Sequence, residues 1–197
     1  MPYSLIQQVI LLPLALLVLS SDLAKAEDYP AQSPLPTGQS SESLLLIESI
    51  NKHFNTHFSY KPDRDDLWLT REAFINRGGG DCEDFALAKY QSLMEAGMPA
   101  SDFRFVYAYQ NTSGIPHIAL IHQPSSKVLD SLTSDTASMR QRTDLKERFR
   151  FSGTGFYPTN TQNLSRAELK TLQQWQAIIR RTEALALRNL AEAKYTP

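Results

Sequence analysis

Gly78-Gly79-Gly80-Asp81-Cys82-Glu83-Asp84-Phe85-Ala86 is the stretch around which the chain is organised. Three glycines run into the only cysteine, and three carboxylates flank it. A glycine run permits positive φ and close approach of the backbone to a neighbour or ligand. The residues that follow place Ala86, Leu87, Tyr90, Leu93 and Met94 at the spacing of one helical face. Gly97 and Pro99 end that helix. Cys82 stands four residues before Ala86, so the spacing sets it on the inward face of the first turn. Free backbone N–H groups and the positive end of the helix dipole favour a thiolate there. A lone cysteine is more often an inert small hydrophobe, but the junction of a triple-glycine turn and a helix is an unusual place for one.

Upstream, Ser41 or Ser43 is expected to cap a helix bearing Leu44, Leu45, Ile47, Ile50 and Phe54. Asn55 to Asp66 reads as a polar loop, and a short helix runs from the N-cap candidate Thr70 to Arg77. Downstream the period changes from helical to alternating. Phe103–Tyr109, His117–His122 and Val128–Leu132 read as strands, with Arg148–Phe151 a candidate fourth. A closing helix opens on the capping box Ser165-Arg-Ala-Glu168, with Leu164 as a staple to Leu169. Leu169, Leu172, Trp175, Ile178 and Ile179 give that helix its apolar face. Helices, then a meander of strands, then a helix make an α+β layout.

The N-terminal end reads as an export signal. Val9–Leu19 is an apolar run too short to span a bilayer comfortably, and Ala24-Lys25-Ala26 has the small-x-small pattern of a signal-peptidase site. No lysine or arginine precedes the run, and an uncleaved anchor is the alternative. Residues 1–26 are thus expected to be a signal peptide, 27–40 a flexible lead-in rich in Pro, Gln, Ser and Gly, and 41–197 one domain. Lys and Arg number 20 against 21 Asp and Glu, for a net charge of −1, which gives no reason to expect nucleic-acid binding. A single cysteine in an exported chain makes no internal disulfide, so its thiol is either buried and silent or free and reactive.

A cysteine nucleophile needs a base within reach and a group that orients the base. His53 and His57 lie in polar surroundings and read as solvated. His117 and His122 differ by an odd number along one strand and point to opposite faces. Pairing of the 117–122 and 128–132 strands brings Asp130 near His117, and an acid among leucines calls for such a partner. Cys82, His117 and Asp130 are therefore candidate catalytic residues, with ordinary core and surface roles the alternative.

Trp68, the run Phe74–Tyr90 with its GGGDCED core, Pro116-His117 and Val128-Leu-Asp-Ser-Leu132 together resemble the bacterial transglutaminase-like cysteine proteinases of the LapG type. The similarity covers roughly Leu44 to Tyr157. It implies a papain-like, transglutaminase-like core, in which a nucleophile helix packs on an antiparallel sheet between flanking N- and C-terminal helices. It also implies a triad of Cys82, His117 and Asp130. By resemblance the substrate is a large surface adhesin, cut near its N-terminus to release it and promote biofilm dispersal. The implied partner is an inner-membrane LapD-type receptor for cyclic-di-GMP, and the implied location is the periplasm. Trp68 matches a tryptophan of the family associated with receptor docking, and a core aromatic is the equal alternative. A transglutaminase-type acyl transferase and a non-catalytic binding module are the rival readings.

Asp81, Glu83 and Asp84 raise a physical difficulty, because nearby negative charge disfavours the thiolate. They are either simple complements to a helix N-terminus or ligands of Ca²⁺, which reverses the local charge. The resemblance implies calcium dependence. Asp81 and Glu83 are the first candidates and Asp84 the next, with further ligands from carbonyls, water or another loop.

Overall fold

A computed structural model describes residues 40–63, 67–152, 155–158 and 163–194, with side chains up to Arg181 in the last helix and excepting Pro158. The expected signal peptide and nearly all of the lead-in lie outside them. Helix α1 (Ser41–His57) is capped by Ser40, whose Oγ accepts from the Ser43 N–H, one residue before the expected caps. It runs through Asn55 and Thr56, which were expected in a loop, and turns Ile47, Asn51 and Phe54 inward while Leu45 is exposed. A two-residue strand β1 (Ser59–Tyr60) follows. Helix α2 (Arg71–Arg77) has the expected cap, Thr70. The glycines then form strand β2 (Gly79–Gly80), parallel to β1, and lead into helix α3 (Cys82–Glu95).

Two of the glycines are required by what surrounds them. A Cβ on Gly79, at φ 135°, would collide with the Ser59 carbonyl, and one on Gly80 would collide with the Asp84 carboxylate. Close pairing with β1 and close packing of the first turn of α3 both depend on the missing side chains.

Strands β3 (Phe103–Gln110), β4 (Pro116–His122), β5 (Lys127–Leu129), β6 (Leu145–Ser152) and β7 (Gly155–Pro158) form one antiparallel sheet in the order β5-β4-β3-β6-β7. The fourth strand is longer than expected and gains the hairpin partner β7. The third is shorter, ending at Leu129, so Asp130 begins a loop and Leu132 is exposed rather than core. Alternation along β3 sends Phe103, Phe105 and Tyr107 to one face and Val106 and Ala108 to the other.

The first face carries the main core. It packs Ile47 of α1, Ala86, Leu87 and Leu93 of α3, and Trp175 and Ile178 of helix α4 (Arg166–Lys194). Trp175 lies 4.2 Å from the ring of Phe105 and 5.2 Å from that of Trp68. Truncating such a residue to alanine costs about 3–5 kcal/mol. The second face, with Ala119, Ile121 and Val128, packs against Leu145 and Met139. Phe54, Phe74, Phe85 and Ala88 join α1, α2 and α3. Helix α4 starts with the expected capping box: Ser165 N–H donates to Glu168 Oε2 at 2.6 Å and Glu168 N–H to Ser165 Oγ at 3.2 Å. Leu169, expected inward, is exposed, and the buried position beside it is Glu168, held by Arg148 at 2.8 Å.

Candidate active site

The helix-first, sheet-second order of the chain brings Cys82 to the start of the fourth strand and Asp130 to His117. Asp81 caps α3, which makes Cys82 the first helical residue, with its backbone N–H among those that no intrahelical carbonyl can accept. His117 is the second residue of β4, beyond the end of the β5 pairing, which stops at Leu120↔Leu129. Because β5 ends there, the Asp130 side chain is free to meet the ring: His117 Nε2 lies 3.3 Å from Asp130 Oδ2, both residues being buried. Cys82 Sγ accepts the Ile118 backbone N–H at 3.4 Å, which moors the sulfur to the residue beside His117. Cys82 and His117 both line a cavity of about 340 Å³ whose walls include Trp68, Tyr107 and Lys170.

Asp130 is tightly held. Its Oδ1 accepts the N–H groups of Leu132 and Thr133 at 3.2 and 3.3 Å, and Arg142 Nη1 forms an ion pair with Oδ2 at 2.6 Å. Burial pushes its carboxyl up, but His117 and Arg142 outweigh that and hold it below the usual range. Arg142, buried itself, is balanced by Asp144, which accepts from its Nε and Nη2 at 2.9 and 2.7 Å. Arg142 does not figure among the expected site residues, and no periodic signal marks it, since it lies in the loop between β5 and β6.

The pull of the helix N-terminus on the thiol is opposed by its surroundings. Burial and then Glu83 push the Cys82 pKa up, and the Ile118 N–H only partly opposes them. The Cys82 thiol donates to Glu83 Oε2 at 3.2 Å. Tyr60, another wall of the cavity, is pushed up to about 12 by burial and by Cys82, Asp81 and Glu83. The local field is therefore strongly negative, as the run of acids implied.

Those acids divide. Asp81 and Asp84 are joined by Asp63, from the segment after β1, so that one carboxylate oxygen from each lies within 4.8 Å of the others. Glu83 is not part of this group and faces the thiol instead. Asp84 is fully buried and accepts from Leu69 N–H at 2.7 Å and Asp81 N–H at 3.3 Å. Burial and the charges of Asp81 and Asp63 raise it to about 7. Three clustered oxygen donors, each repelling the next, fit a hard cation such as Ca²⁺. Asp63 was missed because it lies in a polar stretch eighteen residues before Asp81, and only the β1–β2 pairing brings it there.

Trp68 is 6% exposed and packs on Phe105, Phe151 and Trp175. His122, on the other face of β4 from His117, is buried against Phe103 and bonded to Ser125 Oγ at 2.7 Å. His53 and His57 are exposed on α1, as expected.

Residues 16–145 match the family model described as bacterial transglutaminase-like cysteine proteinase, BTLCP. The chain belongs to that family. Legionella pneumophila LapG, in a structure described as calcium-bound, is similar at 34% identity and a TM-score of 0.60, over 71% of this chain and 80% of that one. The same protein described as EGTA-treated gives 35% identity and a TM-score of 0.60, over 70% and 78%. No curated protein sequence matches significantly. This proteinase therefore has a transglutaminase-like α+β fold and is a cysteine protease of the LapG type.

Proposed function

We propose that this proteinase is a periplasmic, calcium-dependent endopeptidase that cleaves the N-terminal region of a large surface adhesin, releasing it and promoting biofilm dispersal. Its controlling partner is a LapD-type inner-membrane receptor for cyclic-di-GMP. The observation that carries the reading is that His117, whose Nε2 meets the buried Asp130 carboxylate, lines the same cavity as Cys82. Export is supported by the apolar run and Ala24-Lys25-Ala26 at the N-terminus. A docking role for Trp68 rests on the resemblance alone.

With Nε2 turned to Asp130, Nδ1 is the ring nitrogen left for the thiol. His117 takes the Cys82 proton as Sγ attacks the scissile carbonyl carbon. Charge develops on the carbonyl oxygen, for which the Cys82 backbone N–H is a donor. Collapse breaks the C–N bond, the imidazolium gives its proton to the leaving amine, and water then hydrolyses the thioester with His117 again as base. Asp130 keeps the ring in one tautomer and stabilises its cationic form. Asp63, Asp81 and Asp84 would hold Ca²⁺, whose charge offsets the field that now raises the thiol.

The test incubates the purified protein, with Ca²⁺, with the recombinant N-terminal segment of a surface adhesin of the same organism. One discrete cut, absent for Cys82→Ala, is expected by mass spectrometry. Cross-linked products would instead indicate an acyl transferase, and cleavage by Cys82→Ala would overturn the assignment.

A further inference from the structure

Lys89 is fully buried in the middle of α3, with no exposed surface at which water could hydrate an ammonium. Its Nζ donates to three acceptors: Asn51 Oδ1 at 2.8 Å, Asn55 Oδ1 at 2.7 Å and the Asp130 backbone carbonyl at 2.7 Å. The asparagine amides are oriented by their other ends. Asn51 Nδ2 donates to the carbonyls of Thr133 and Ser134, each at 3.0 Å. Asn55 Nδ2 donates to the carbonyls of Asp130 and Thr133 at 2.8 and 2.7 Å. Backbone carbonyls only accept, so both amides must turn their oxygens to Lys89. Three acceptors then meet one nitrogen, and only the protonated amine has three hydrogens to give.

This arrangement is far costlier than a salt bridge on the surface, and an ordinary core would use leucine. A buried ammonium held by two amide oxygens and a backbone carbonyl forfeits its hydration, and burial pulls Lys89 down to about 7 even with Asp130 nearby. Its site is the loop that carries Asp130. Lys89 and Asn55 fix the Asp130 carbonyl, while the Asp130 side chain fixes its own loop through Leu132 and Thr133 and meets His117. Cys82 and Lys89 lie seven residues apart on one helix, which is two turns, about 10 Å, along the same face. One rigid element therefore carries the thiol at its start and grips the Asp130 backbone two turns on.

We propose that Lys89 is a positioning residue that acts through Asp130: the α3 ammonium, with Asn51 and Asn55 of α1, sets where the aspartate, and hence the His117 ring, stands relative to Cys82. The inference rests on the Cys82–His117–Asp130 reading above. It predicts that Lys89 matters to catalysis only while Asp130 is present.

The test compares wild type, Lys89→Met, Asp130→Ala and the double variant, all with saturating Ca²⁺. The substrate-free readout is the rate of Cys82 alkylation by iodoacetamide, and the spectroscopic one is the ¹⁵N shift of the His117 ring. Misplacement by about 1 Å costs up to about 100-fold in rate, so Lys89→Met is expected to slow alkylation about tenfold and to move the His117 signal. In the Asp130→Ala background it is expected to slow alkylation less than about twofold, the non-additivity of groups that act as a unit. A wild-type rate and signal for Lys89→Met, or an equal factor in both backgrounds, would overturn the proposal. An unchanged rate for Asp130→Ala alone would instead remove the triad assignment beneath it. Should Lys89→Met not fold, Asn55→Ala, which removes one of the two donors to the Asp130 carbonyl, is read by the same criteria.

Discussion

Replacing each glycine of the nucleophile turn by alanine should rank them by what the new Cβ meets. On Gly80 it meets the Asp84 carboxylate group, which is side chain and has room to move only by giving up its own bonds. Asp84 holds the N–H groups of Leu69 and Asp81, and hydrogen bonds to a charged group are each worth about 1.5–3 kcal/mol. Overpacking itself costs about 1–3 kcal/mol. Loss of the shorter bond plus modest strain gives about 2–5 kcal/mol for Gly80→Ala, or about 5–15 °C in Tm for a domain of this size. Gly79→Ala is expected to fall between Gly80→Ala and the control, since its φ of 135° strains an L-residue but the clash of its Cβ with the Ser59 backbone is relieved by releasing the two-residue strand β1. Gly114→Ala is the control. Its φ is 68°, but open space surrounds it, so only about 1 kcal/mol of left-handed strain is expected. Thermal unfolding of the three variants, followed by circular dichroism, gives the order. A Gly80→Ala melt within about 2 °C of wild type, or below neither Gly114→Ala nor wild type, would refute the packing argument.

His117→Ala should abolish cleavage, whereas His122→Ala should keep it within about threefold and lose about 1–3 kcal/mol of stability through the buried bond to Ser125; activity and melting on the same samples separate the two. Asp63→Ala should weaken Ca²⁺ binding by calorimetry while Glu83→Ala weakens it less, because only Asp63 shares the oxygen cluster with Asp81 and Asp84. Equal losses would return Glu83 to the ligand set. Burial pulls Lys89 down to about 7, so its ammonium network is complete below that pH, and between there and the ordinary lysine range the unfolded chain binds the extra proton. Its contribution to stability therefore rises as pH climbs from about 7 towards 10.5. Urea titrations across that range should show this slope in wild type and lack it in Lys89→Met.

Sequence periodicity revealed the elements that carry the chemistry better than the chemistry itself. Helix α3, its glycine entry and its Gly97 exit were legible because apolar spacing and backbone punctuation agree there. The capping box of α4 was legible for the same reason. The odd spacing of His117 and His122 separated the histidine beside Asp130 from the one beside Ser125. Readings failed where tertiary context overrode pattern. Leu45, Leu132 and Leu169 fit an apolar stripe but are exposed, while Asn51, Lys89 and Glu168 occupy buried positions that composition assigns to apolar residues. Polar burial depends on partners from distant segments, so no local pattern announces it. Strand β7 was missed because its four residues have meaning only against β6, and Asp63 because its place is set by a pairing of two residues.

That pairing, β1 with β2, is expected to be the part of the site most readily released. Both β1 residues are exposed, and its ladder is flanked by Ser59 N–H to the Gly78 carbonyl at 3.2 Å and Lys61 N–H to the Gly80 carbonyl at 2.8 Å, with Lys61 Nζ on the Arg77 carbonyl at 2.6 Å. Short ribbons with solvent-facing bonds open at a small fraction of the global unfolding free energy. Amide protons of Ser59 and Lys61 should thus exchange with solvent far faster than those of β3. Such an opening is expected to move Asp63 away from Asp81 and Asp84 while the sheet and α3 stay intact. A cation that binds only the closed form slows this exchange in proportion to its concentration over its dissociation constant. Deuterium uptake at two backbone amides would then report occupancy of the acid cluster more directly than turnover does.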